Sequence, residues 1–514
     1  MIKNRKDNQR YALISVYDKT GIDELAKIFI KKGIKIISTG GTAKHLIKNG
    51  IKIIPIEEIT KSPESFDGRV KTVSFQIMSG LLYDRKNKKH LIQAQDLQTP
   101  NIDFVICNFY NFADKPGIEM IDVGGPTMVR SAAKNYKSVT VVVDPNDYGT
   151  VGKEVMTNSQ ISDELRENLA AKAFSYVANY DTLIANYFQK EIGGPDMFIS
   201  LQNGTHLRYG ENPHQGAAFY RENKNMDNLG LGNNQIIQGK ETSFNNYLDL
   251  DAGVQAISLI GQQSPACVIL KHTNPCGGAT ATTLQEAFRK AWFDGDPLAA
   301  FGGVILFNRP VTKKLAEEMV SDKKFFEIVA APEFAKEALV IFSKRPKLQL
   351  LMNKALLKPF VVPYKDVKKI RGGFLMQDVD AYQLTKKELR CVTTKKPTAK
   401  QVDDLLFAWK ISQVSKSNCV VAVKDSVLVA SGVGQQDRKR CCELCVKKAV
   451  KPLTDAVAAT DGFFPFRDGP DILIKAGIKA IIQPGGSIRD QETIDACNEA
   501  GVAMIMTGVR AFKH

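Results

Sequence analysis

Long apolar runs are missing from this sequence, and their absence excludes several classes of protein. No stretch of the 514 residues approaches the roughly 18 consecutive apolar residues of a membrane-spanning helix. The first ten residues, MIKNRKDNQR, also lack the apolar centre of a secretion signal. Apolar residues still make up 44% of the chain, which is typical of a globular protein. We therefore expect a cytoplasmic protein, and the length predicts two or more domains.

Cysteine and histidine are too scarce and too scattered to indicate a metal site. The nine cysteines form no even framework, which fits a reducing compartment. Cys442 and Cys445 have the C-x-x-C spacing that zinc sites use, with Cys441 beside them. A structural zinc site needs four ligands, and no histidine or second cysteine pair lies nearby in sequence. We interpret the three residues as reduced, partly buried helical cysteines and predict no catalytic metal.

The positive charge is not concentrated in any one segment. Lys and Arg number 70 against 55 Asp and Glu, which gives a net charge of +15. The sequence contains no long basic arm and no zinc-finger or RNP motif. This distribution favours pockets for small anionic ligands over binding to nucleic acid or to membranes.

The first half of the chain alternates between strand and helix patterns. A short apolar strand at residues 11–16 precedes a helix with apolar residues at helical spacing, which we expect Asp18 or Thr20 to cap. Strands at residues 34–39 and 51–56 complete a β-α-β-α-β run, which predicts a parallel sheet. Further strands are expected near residues 103–109 and 138–144, with a long helix over residues 161–188.

A segment rich in glycine and proline near residue 195 predicts the boundary between two domains, 1–195 and 196–514. Beyond it, strands and helices alternate again. A strand, a polar turn and a helix follow one another near residue 271 and again near residue 418. This similarity hints at a duplicated α/β unit, although the residues themselves are not alike enough to prove a repeat.

Two loops of the first domain are candidates for an anion pocket. Ser38–Thr42, STGGT, ends a strand and begins a helix, so its backbone N–H groups could hold a phosphate. Lys19 and Thr20 follow the neighbouring parallel strand and would reach the same edge of the sheet. The alternative is an ordinary connecting turn. Similarly, Arg69, Lys71, Asp122 and Lys134 are either pocket residues or surface charges, and composition alone favours surface charges.

The stretch VILKHTNPCGGAT, Val268 to Thr280, places Lys271 beside His272 at the end of an apolar strand. An isolated histidine is more often structural than catalytic. Here the adjacent lysine and the turn-forming residues 274–278 favour a ligand site, in which His272 acts as a general base and Lys271 stabilises negative charge. A zinc deaminase is excluded because no histidine begins an H-x-E motif and Cys276 does not begin C-x-x-C.

Many segments in order along the chain, including SVYDKTG, STGGTAKHL, IDVGGPTMVRSAAKN, RYGENPHQ, LKHTNPCG, GVGQQDR and FFPFRDG, closely resemble one family. It is the family of bifunctional purine biosynthesis proteins that join AICAR transformylase to IMP cyclohydrolase. The resemblance implies an α/β fold with an N-terminal methylglyoxal-synthase-like parallel-sheet domain and a C-terminal duplicated cytidine-deaminase-like transformylase domain. It also implies a homodimer.

The implied activities are two consecutive reactions. A formyl group moves from 10-formyltetrahydrofolate to the amino group of AICAR, giving formyl-AICAR and tetrahydrofolate, and formyl-AICAR then closes to IMP with loss of water. The chain would thus be a phosphoribosylaminoimidazolecarboxamide formyltransferase and an IMP cyclohydrolase. The resemblance allows a monovalent cation in the transformylase domain.

The resemblance also assigns residues to each site. For formyl transfer it implies that Lys271, His272 and Asn418 are catalytic and that Phe301 and Gly302 contact folate. For AICAR binding in the same domain it implies Arg208, Tyr209, Arg438, Phe463, Asp468, Arg510 and His514. For cyclisation it implies Lys71, Tyr110, Asp122 and Lys134, with Lys19, Thr20, Ser38, Gly40, Gly41, Thr42 and Arg69 around the nucleotide.

This chain departs from the family pattern at two places. Val73-Ser74-Phe75 stands where members commonly have Leu-His-Pro, and Asn111 replaces the proline of Tyr-Pro-Phe. The nominated catalytic residues are retained, so we expect cyclisation, and a transformylase with an impaired cyclohydrolase domain is the alternative. A hypothesis from another class, a nucleotide-sensing or RNA-binding protein, is favoured only by the basic charge balance.

Overall fold

The structure is a computed structural model that describes residues 9–66, 68–158, 160–222, 227–321 and 324–514. It divides into two compact units, Met1–Ser200 and Leu201–His514. The observed boundary lies a few residues after the predicted one at residue 195, because residues 196–200 pack on the long helix of the first unit. Phe198 and Asn186 exchange two hydrogen bonds, and the Ser200 hydroxyl donates to Asn179. The predicted absence of a secretion signal concerns the first ten residues, and residues 1–8 lie outside the described residues.

The first unit contains a five-stranded sheet in the order β3-β2-β1-β4-β5, and all the described strand pairs are parallel. This confirms the predicted parallel α/β domain. Its strands are β1 Tyr11–Val16, β2 Lys35–Ser38, β3 Ile54–Pro55, β4 Ile102–Asn108 and β5 Thr140–Val142. Its helices are α1 Ile22–Lys31, α2 Gly40–Lys48, α3 Ile56–Thr60, α4 Phe75–Leu82, α5 Lys88–Asp96, α6 Gly124–Lys134, α7 Tyr148–Asn158 and α8 Asp163–Ile192, with 3₁₀ turns at Ile118–Met120 and Pro145–Asp147.

Helix α1 shows how the sequence pattern becomes packing. Its apolar residues at helical spacing, Ile22, Leu25, Ala26 and Phe29, are all buried. The predicted cap is wrong, because Gly21, in the left-handed conformation at φ 72°, occupies the N-cap position. Asp18 instead accepts hydrogen bonds from the backbone N–H and the hydroxyl of Thr20, so both residues are used by the loop before the helix.

The second unit is built on a twelve-stranded sheet, as far as the described residues show, in the order β16-β21-β20-β19-β17-β18-β10-β9-β11-β12-β13-β8, with two separate hairpins, β6–β7 and β14–β15. Its strands are β6 Leu201–Leu207, β7 Ala217–Glu222, β8 Gln235–Gln238, β9 Ala266–Lys271, β10 Asn274–Thr280, β11 Gly303–Phe307, β12 Phe326–Ala331, β13 Gln349–Met352, β14 Lys365–Ile370, β15 Gly373–Asp378, β16 Arg390–Cys391, β17 Val420–Lys424, β18 Val427–Gly432, β19 Val457–Thr460, β20 Ala480–Gln483 and β21 Ala503–Met506. Its helices are α9 Phe244–Ile260, α10 Leu284–Phe293, α11 Pro297–Ala300, α12 Lys313–Val320, α13 Lys336–Phe342, α14 Ala399–Gln413, α15 Arg438–Lys448, α16 Asp468–Lys475 and α17 Asp490–Glu499, with 3₁₀ turns at Leu231–Asn233, Lys354–Leu357 and Lys386–Glu388.

The predicted duplication is present in the topology of this sheet. In each half a hairpin is followed by three strands that are parallel to one another: β9–β10 by β11, β12 and β13, and β17–β18 by β19, β20 and β21. An antiparallel strand, β8 or β16, closes each outer edge, and the halves join where β10 pairs with β18. The repeat matches the turn after residue 271 to the turn after residue 424, and not to the segment near residue 418.

The segment from Asn274 to Gly278 is a strand and not the predicted ligand-binding turn. The turn consists of His272 and Thr273 alone, both with positive φ (51° and 62°), and β10 then pairs with β9. The glycines serve packing, because a Cβ on Gly277 would collide with the backbone oxygen of Ala291 in α10. Glycine here allows a helix to approach the strand closely.

In the described parts of the chain, no helix combines the length and the apolar composition that crossing a membrane requires. Cys441, Cys442 and Cys445 lie buried on α15 with free thiols. Burial raises the pKa of the Cys441 and Cys445 thiols to about 12. No group of three metal-binding side chains occurs among the residues that the structure describes. These cysteines are core residues of α15.

Candidate active sites

The first unit contains a cavity of about 610 Å³ where β1, β2 and β4 end. Ligand sites of open parallel sheets lie at the carboxyl ends of the strands, as this cavity does. Eight of the residues proposed for cyclisation line it: Lys19, Gly40, Gly41, Thr42, Arg69, Lys71, Tyr110 and Asp122.

One side of the cavity is the N-terminus of α2. The helix begins at Gly40, and its N-cap residue Thr39 makes no capping hydrogen bond with its side chain. The first backbone N–H groups of the helix therefore have no partner within it and favour a negatively charged ligand. The Thr39 hydroxyl has no hydrogen-bond partner among the described residues. Thr42 instead bonds to the end of β1, donating to the Val16 oxygen at 2.9 Å.

Asp122 lies on the other side of the cavity and carries the only carboxyl group among the residues proposed to catalyse cyclisation. Its Oδ1 accepts the Gly125 N–H at 2.8 Å, at the start of α6. Burial raises the pKa of Asp122, and the Gly125 hydrogen bond and the positive charge of Lys71 oppose this rise. The Asp122 backbone is fixed by α8, because its N–H donates at 2.8 Å to the Tyr180 hydroxyl. A carboxylate held in this way has a raised affinity for a proton.

Lys71 lies between the carboxylate and the helix N-terminus. Its Nζ is 2.8 Å from Oε1 of Glu64, and a Cβ on Gly40 would come within 3.4 Å of it. Arg69 forms an exposed ion pair with Glu119. The half-exposed ring of Tyr110 packs edge-on against Tyr17 at 5.7 Å. The cavity thus has a cationic wall, an aromatic wall and the partly buried carboxyl group of Asp122.

Three residues proposed for this site do not line the cavity. Ser38 is fully buried, and its hydroxyl donates to the Ile14 oxygen at 2.8 Å, so it joins two strands and cannot reach a ligand. The Thr20 hydroxyl is bonded to Asp18. Lys134 is exposed at the far end of α6, whose other end contributes Gly124 and Gly125 to the cavity. The length of the helix separates Lys134 from Asp122.

Sequence reasoning also missed residues that line this cavity. Thr39 follows Ser38 directly, and alternation of side chains along the strand is the signal that would have distinguished them. Asn108 ends β4, accepts the Asp18 N–H at 2.8 Å and donates to the Asp18 oxygen at 3.0 Å. Thr72 lies against Gly124, where a Cβ would collide with its hydroxyl. A polar residue that ends a fully buried strand was the available signal for Asn108.

The departure at Val73-Ser74-Phe75 lies just outside the cavity. The structure shows Ser74 as the N-cap of α4, where its hydroxyl accepts the Ile77 N–H at 3.2 Å. Val73 and Phe75 are exposed, and neither lines the cavity. These residues therefore lie at the start of a helix, while Lys71 and Thr72 directly before them line the cavity.

In the second unit, the turn after β9 brings Lys271 and His272 to the surface of the sheet. The Lys271 ammonium donates to the Gly302 oxygen at 3.0 Å. Gly302 has φ 72°, and a Cβ there would lie 2.9 Å from Lys271 Nζ. The exposed Phe301 ring packs on Phe325 at 5.1 Å. The lysine and both residues proposed to contact folate therefore lie together.

Asn274 connects this turn to the segment before β17. Its side-chain amide donates to the His272 oxygen at 2.9 Å, and its Oδ1 accepts the Lys416 N–H at 2.9 Å. Asn418 lies two residues further along. The structure thus brings the two halves of the proposed catalytic set, His272 and Asn418, into one region of the second unit.

The Asn418 side chain is held by Arg438, one of the residues that the resemblance assigned to AICAR binding. The guanidinium donates to Asn418 Oδ1 at 2.7 Å, to Thr460 Oγ1 at 2.6 Å and to the Cys419 oxygen at 2.8 Å, and it pairs with Asp461. Asp461 is completely buried and needs a cationic partner. Arg438 is itself 6% exposed, so its guanidinium is enclosed by protein groups in this structure.

The C-terminal tail packs beside the same segment. The Ser417 N–H donates to the Lys513 oxygen at 2.9 Å, and the Ala511 N–H donates to the Asp461 oxygen at 2.9 Å. The exposed tail residues form a chain of ring contacts, with Arg510 over Phe512 at 4.9 Å and Phe512 at 6.2 Å from His514. Phe463 is 44% exposed. Asp468, partly exposed, begins α16.

Arg208 and Tyr209 lie in the loop between β6 and β7. The Arg208 guanidinium stacks on the Tyr209 ring at 5.3 Å. The same loop contacts the first turn of α9, where Asn245 donates to the Glu211 oxygen at 3.2 Å. Helix α9 also contacts the Lys271–His272 turn, because Asp249 accepts the Thr273 N–H.

Two family models match this chain, and the second of them begins within the first unit. A family model described as an MGS-like domain matches residues 21–136, and one described as the AICARFT/IMPCHase bienzyme matches residues 132–448. The chain belongs to the AICARFT/IMPCHase bienzyme family.

Three relatives called bifunctional purine biosynthesis protein PurH match along almost their whole length. The relative from Caldicellulosiruptor saccharolyticus is 44% identical, over 98% of this chain and 99% of its own. That from Acetivibrio thermocellus is 42% identical, with the same coverage. That from Aquifex aeolicus is 43% identical, over 98% of this chain and all of its own.

Proposed function

We propose that this chain catalyses the last two steps of IMP synthesis. A formyl group passes from 10-formyltetrahydrofolate to the 5-amino group of AICAR in the second unit, and formyl-AICAR closes to IMP with loss of water in the first. The observation that carries the proposal is the presence of two separate sets of charged residues, one in each unit of a chain whose relatives are purine biosynthesis proteins.

For formyl transfer, His272 acts as the base and Lys271 as the electrostatic catalyst. The amine of AICAR attacks the formyl carbon of the folate, and His272 accepts the proton that the nitrogen loses. Lys271 stabilises the oxyanion of the tetrahedral intermediate or assists protonation of the departing folate nitrogen. The contact of Lys271 with the Gly302 oxygen supports its proximity to the folate side.

Asn418 holds the substrate and relays a proton in this proposal. Its amide is oriented by two hydrogen bonds, one from Arg438 and one to the Gln435 oxygen at 2.8 Å. Tyr209, Arg208, Phe463, Asp468, Arg510 and His514 remain proposed contacts of AICAR. Arg438 remains in the proposal as the residue that orients Asn418, since its guanidinium is already enclosed.

For cyclisation, the carboxamide nitrogen attacks the formyl carbon, Lys71 stabilises the developing oxyanion and Asp122 takes the nitrogen proton. Water then leaves from the resulting carbinolamine. The raised pKa of Asp122 supports its role as a base that can hold a proton transiently. The N-terminus of α2 and the Thr39 hydroxyl suit the nucleotide phosphate, with Lys19 and Arg69 nearby.

The proposal is tested with purified protein in two assays. AICAR and 10-formyltetrahydrofolate together are expected to yield IMP, and formyl-AICAR alone is expected to yield IMP as well. Failure of both would reject the proposal. If AICAR and 10-formyltetrahydrofolate yield IMP only when another cyclohydrolase is added, the alternative of an impaired cyclohydrolase domain is supported. The position of Ser74 outside the cavity disfavours this alternative.

Assembly and location belong to the same proposal. We expect a homodimer, which the exposed apolar residues Phe374, Leu375 and Met376 on the β14–β15 hairpin support. Sedimentation of the full chain tests this expectation. A potassium titration of formyl transfer tests for a monovalent cation in the second unit, and fractionation of cells tests the cytoplasmic location.

A further inference from the structure

The duplicated sheet contains a second copy of the Lys271–His272 turn. In the second repeat the turn is Asp425–Ser426, between β17 and β18, and its residues have φ 54° and 59°, as His272 and Thr273 have 51° and 62°. Lys424 takes the position of Lys271. Both lysines end a strand, and both donate to a backbone oxygen in the loop before the next strand of their repeat, Lys271 to Gly302 at 3.0 Å and Lys424 to Thr454 at 2.8 Å.

An aspartate on the preceding helix holds each turn. Asp249 of α9 accepts the Thr273 N–H at 2.5 Å. Asp404 of α14 accepts the N–H groups of Asp425 and Ser426 at 3.1 and 2.7 Å. Both helices start with a capping box, at Ser243 and Thr398, and the two aspartates lie at the same distance from these caps. The two aspartates are therefore equivalent positions of the repeat.

The function of this contact follows from the backbone. A left-handed conformation is unfavourable for residues other than glycine, and two such residues follow one another in each turn. A carboxylate that accepts an N–H of the turn stabilises this conformation, because hydrogen bonds to a charged acceptor are the stronger kind. Without it the turn would sample other conformations, and the side chain of His272 would lose its direction.

Charged groups also surround Asp249 in the first repeat. The charges that face it are Lys271 and His272 on the turn and Glu327 on β12, which accepts a hydrogen bond from Asn246 at 3.1 Å. In the second repeat the residue in the position of His272 is Asp425, which forms an ion pair with Lys400. The second turn thus has the same backbone and support but no base.

We propose that Asp249 is a positioning residue for formyl transfer: it fixes the His272–Thr273 turn so that His272 and Lys271 face the reacting atoms. The inference rests on the proposed formyl-transfer function and names a residue beyond the catalytic set. Asp249 does not touch substrate. It acts through its hydrogen bond with the Thr273 N–H.

The test compares Asp249→Ala and Asp249→Asn with Asp404→Ala and Asp404→Asn in the full-length protein. Asp404 is the matched control, since its loss removes the same kind of support from a turn without a base. We expect kcat for formyl transfer to fall about 100-fold in Asp249→Ala, the order that a small misplacement of a catalytic group causes, with KM for AICAR changed much less. Asp249→Asn, which keeps an oxygen for the Thr273 N–H, is expected to recover part of kcat.

Two further readouts separate positioning from general damage. Cyclisation of formyl-AICAR is expected to stay normal in all four variants. Hydrogen exchange of the peptide that contains Thr273 is expected to rise strongly in Asp249→Ala, to rise less in Asp249→Asn, and to stay unchanged in both Asp404 variants.

The inference is overturned if the Asp249 variants lose no more kcat than the Asp404 variants, or if kcat falls while hydrogen exchange of the Thr273 peptide stays unchanged. If Asp249→Ala does not fold, Asp249→Asn decides by the same criteria. If the unaltered protein cyclises formyl-AICAR but transfers no formyl group, both the proposed transfer function and this inference are rejected. If the unaltered protein transfers the formyl group and the Asp249 variants are equally active, the inference alone is rejected.

Discussion

At the scale of single residues, each proposed site combines one proton acceptor with one lysine. Asp122 and Lys71 occupy the cavity of the first unit, and His272 and Lys271 occupy the turn of the second. In both places backbone or buried groups hold the acceptor, with the Gly125 N–H bonded to Asp122. The same division of labour, a base beside a cation, serves a reaction that removes a nitrogen proton while negative charge develops on oxygen.

His272→Ala is expected to reduce formyl transfer by about 10²–10⁴-fold, the usual contribution of a general base. The measurement is the rate of formyl-AICAR formation from AICAR and 10-formyltetrahydrofolate at saturating substrate. The same protein is expected to cyclise supplied formyl-AICAR at the normal rate, which controls for folding. Near-normal transfer by the variant would refute the role of His272.

The cyclisation rate is expected to fall on acidification through a pKa above the ordinary aspartate value of 3.8, because burial raises the pKa of Asp122 and only its ionised form accepts the proton. The measurement is the rate of IMP formation from formyl-AICAR across the acidic range. Asp122→Asn is expected to be slow and to lack this acidic limb. An unchanged limb in that variant would assign the titration to another group.

The same pKa shift makes a prediction for stability. Because the folded-state pKa of Asp122 is above its unfolded value, its favourable contribution is complete below the unfolded pKa and is lost as the pH rises through the folded pKa. The change in the thermal midpoint of the first unit caused by Asp122→Asn should therefore be more favourable at neutral pH than in acid. Calorimetry of both proteins at several pH values checks the sign, and an equal effect at all pH values would contradict it.

At the scale of elements, close approach of a helix to a strand decides where glycine is required. Helix α10 covers β10 so closely that a Cβ on Gly277 would collide with the Ala291 oxygen, whereas one on Gly278 would meet Ile411 Cδ1 at an ordinary 3.4 Å. The sequence shows two equivalent glycines after Cys276. Only their positions on opposite faces of the strand distinguish them.

Gly277→Ala is therefore expected to lower the free energy of unfolding by about 1–3 kcal/mol, the usual cost of overpacking, because backbone must move to admit the methyl group. Gly278→Ala is the matched control and should change stability much less. Urea unfolding of the second unit in each full-length variant measures the difference. Equal effects of the two changes would show that the close approach of α10 is not the constraint.

At the scale of the whole molecule, the two proposed sites lie in different compact units of one chain. The basic residues that give the chain its charge of +15 are spread over both units. Formyl-AICAR is the product of the first reaction and the substrate of the second, so each reaction can proceed without the catalytic residues of the other. The reactions are therefore expected to be separable by mutation.

A mixture of Lys71→Ala protein and His272→Ala protein is expected to convert AICAR and 10-formyltetrahydrofolate to IMP, because each variant keeps one working site and formyl-AICAR can diffuse between them. The doubly altered protein is the control and should form none above background. IMP formation is followed over time at equal total site concentration. No IMP from the mixture, with each single variant active in its own half-reaction, would show that the intermediate must stay on one chain.

The sequence by itself determined the alternating α/β pattern and the family, and it predicted eight of the residues that line the cavity of the first unit. Periodicity predicted β1 and the buried face of α1, because side-chain spacing in strands and helices is a local property. The resemblance carried by the ordered motifs predicted catalytic roles for Lys71, Asp122, Lys271 and His272.

Only the tertiary structure decided which neighbours of those residues serve the site. Ser38 and Thr39 are adjacent in sequence, yet Ser38 bonds across the sheet and Thr39 faces the cavity. Arg438 is enclosed because the buried Asp461 lies beside it, more than twenty residues away in sequence. Asp249, on helix α9, accepts a hydrogen bond from the turn that contains His272. Such pairings depend on which elements pack together, and burial in the assembled fold, not local spacing, sets the partner and the energy of each polar group.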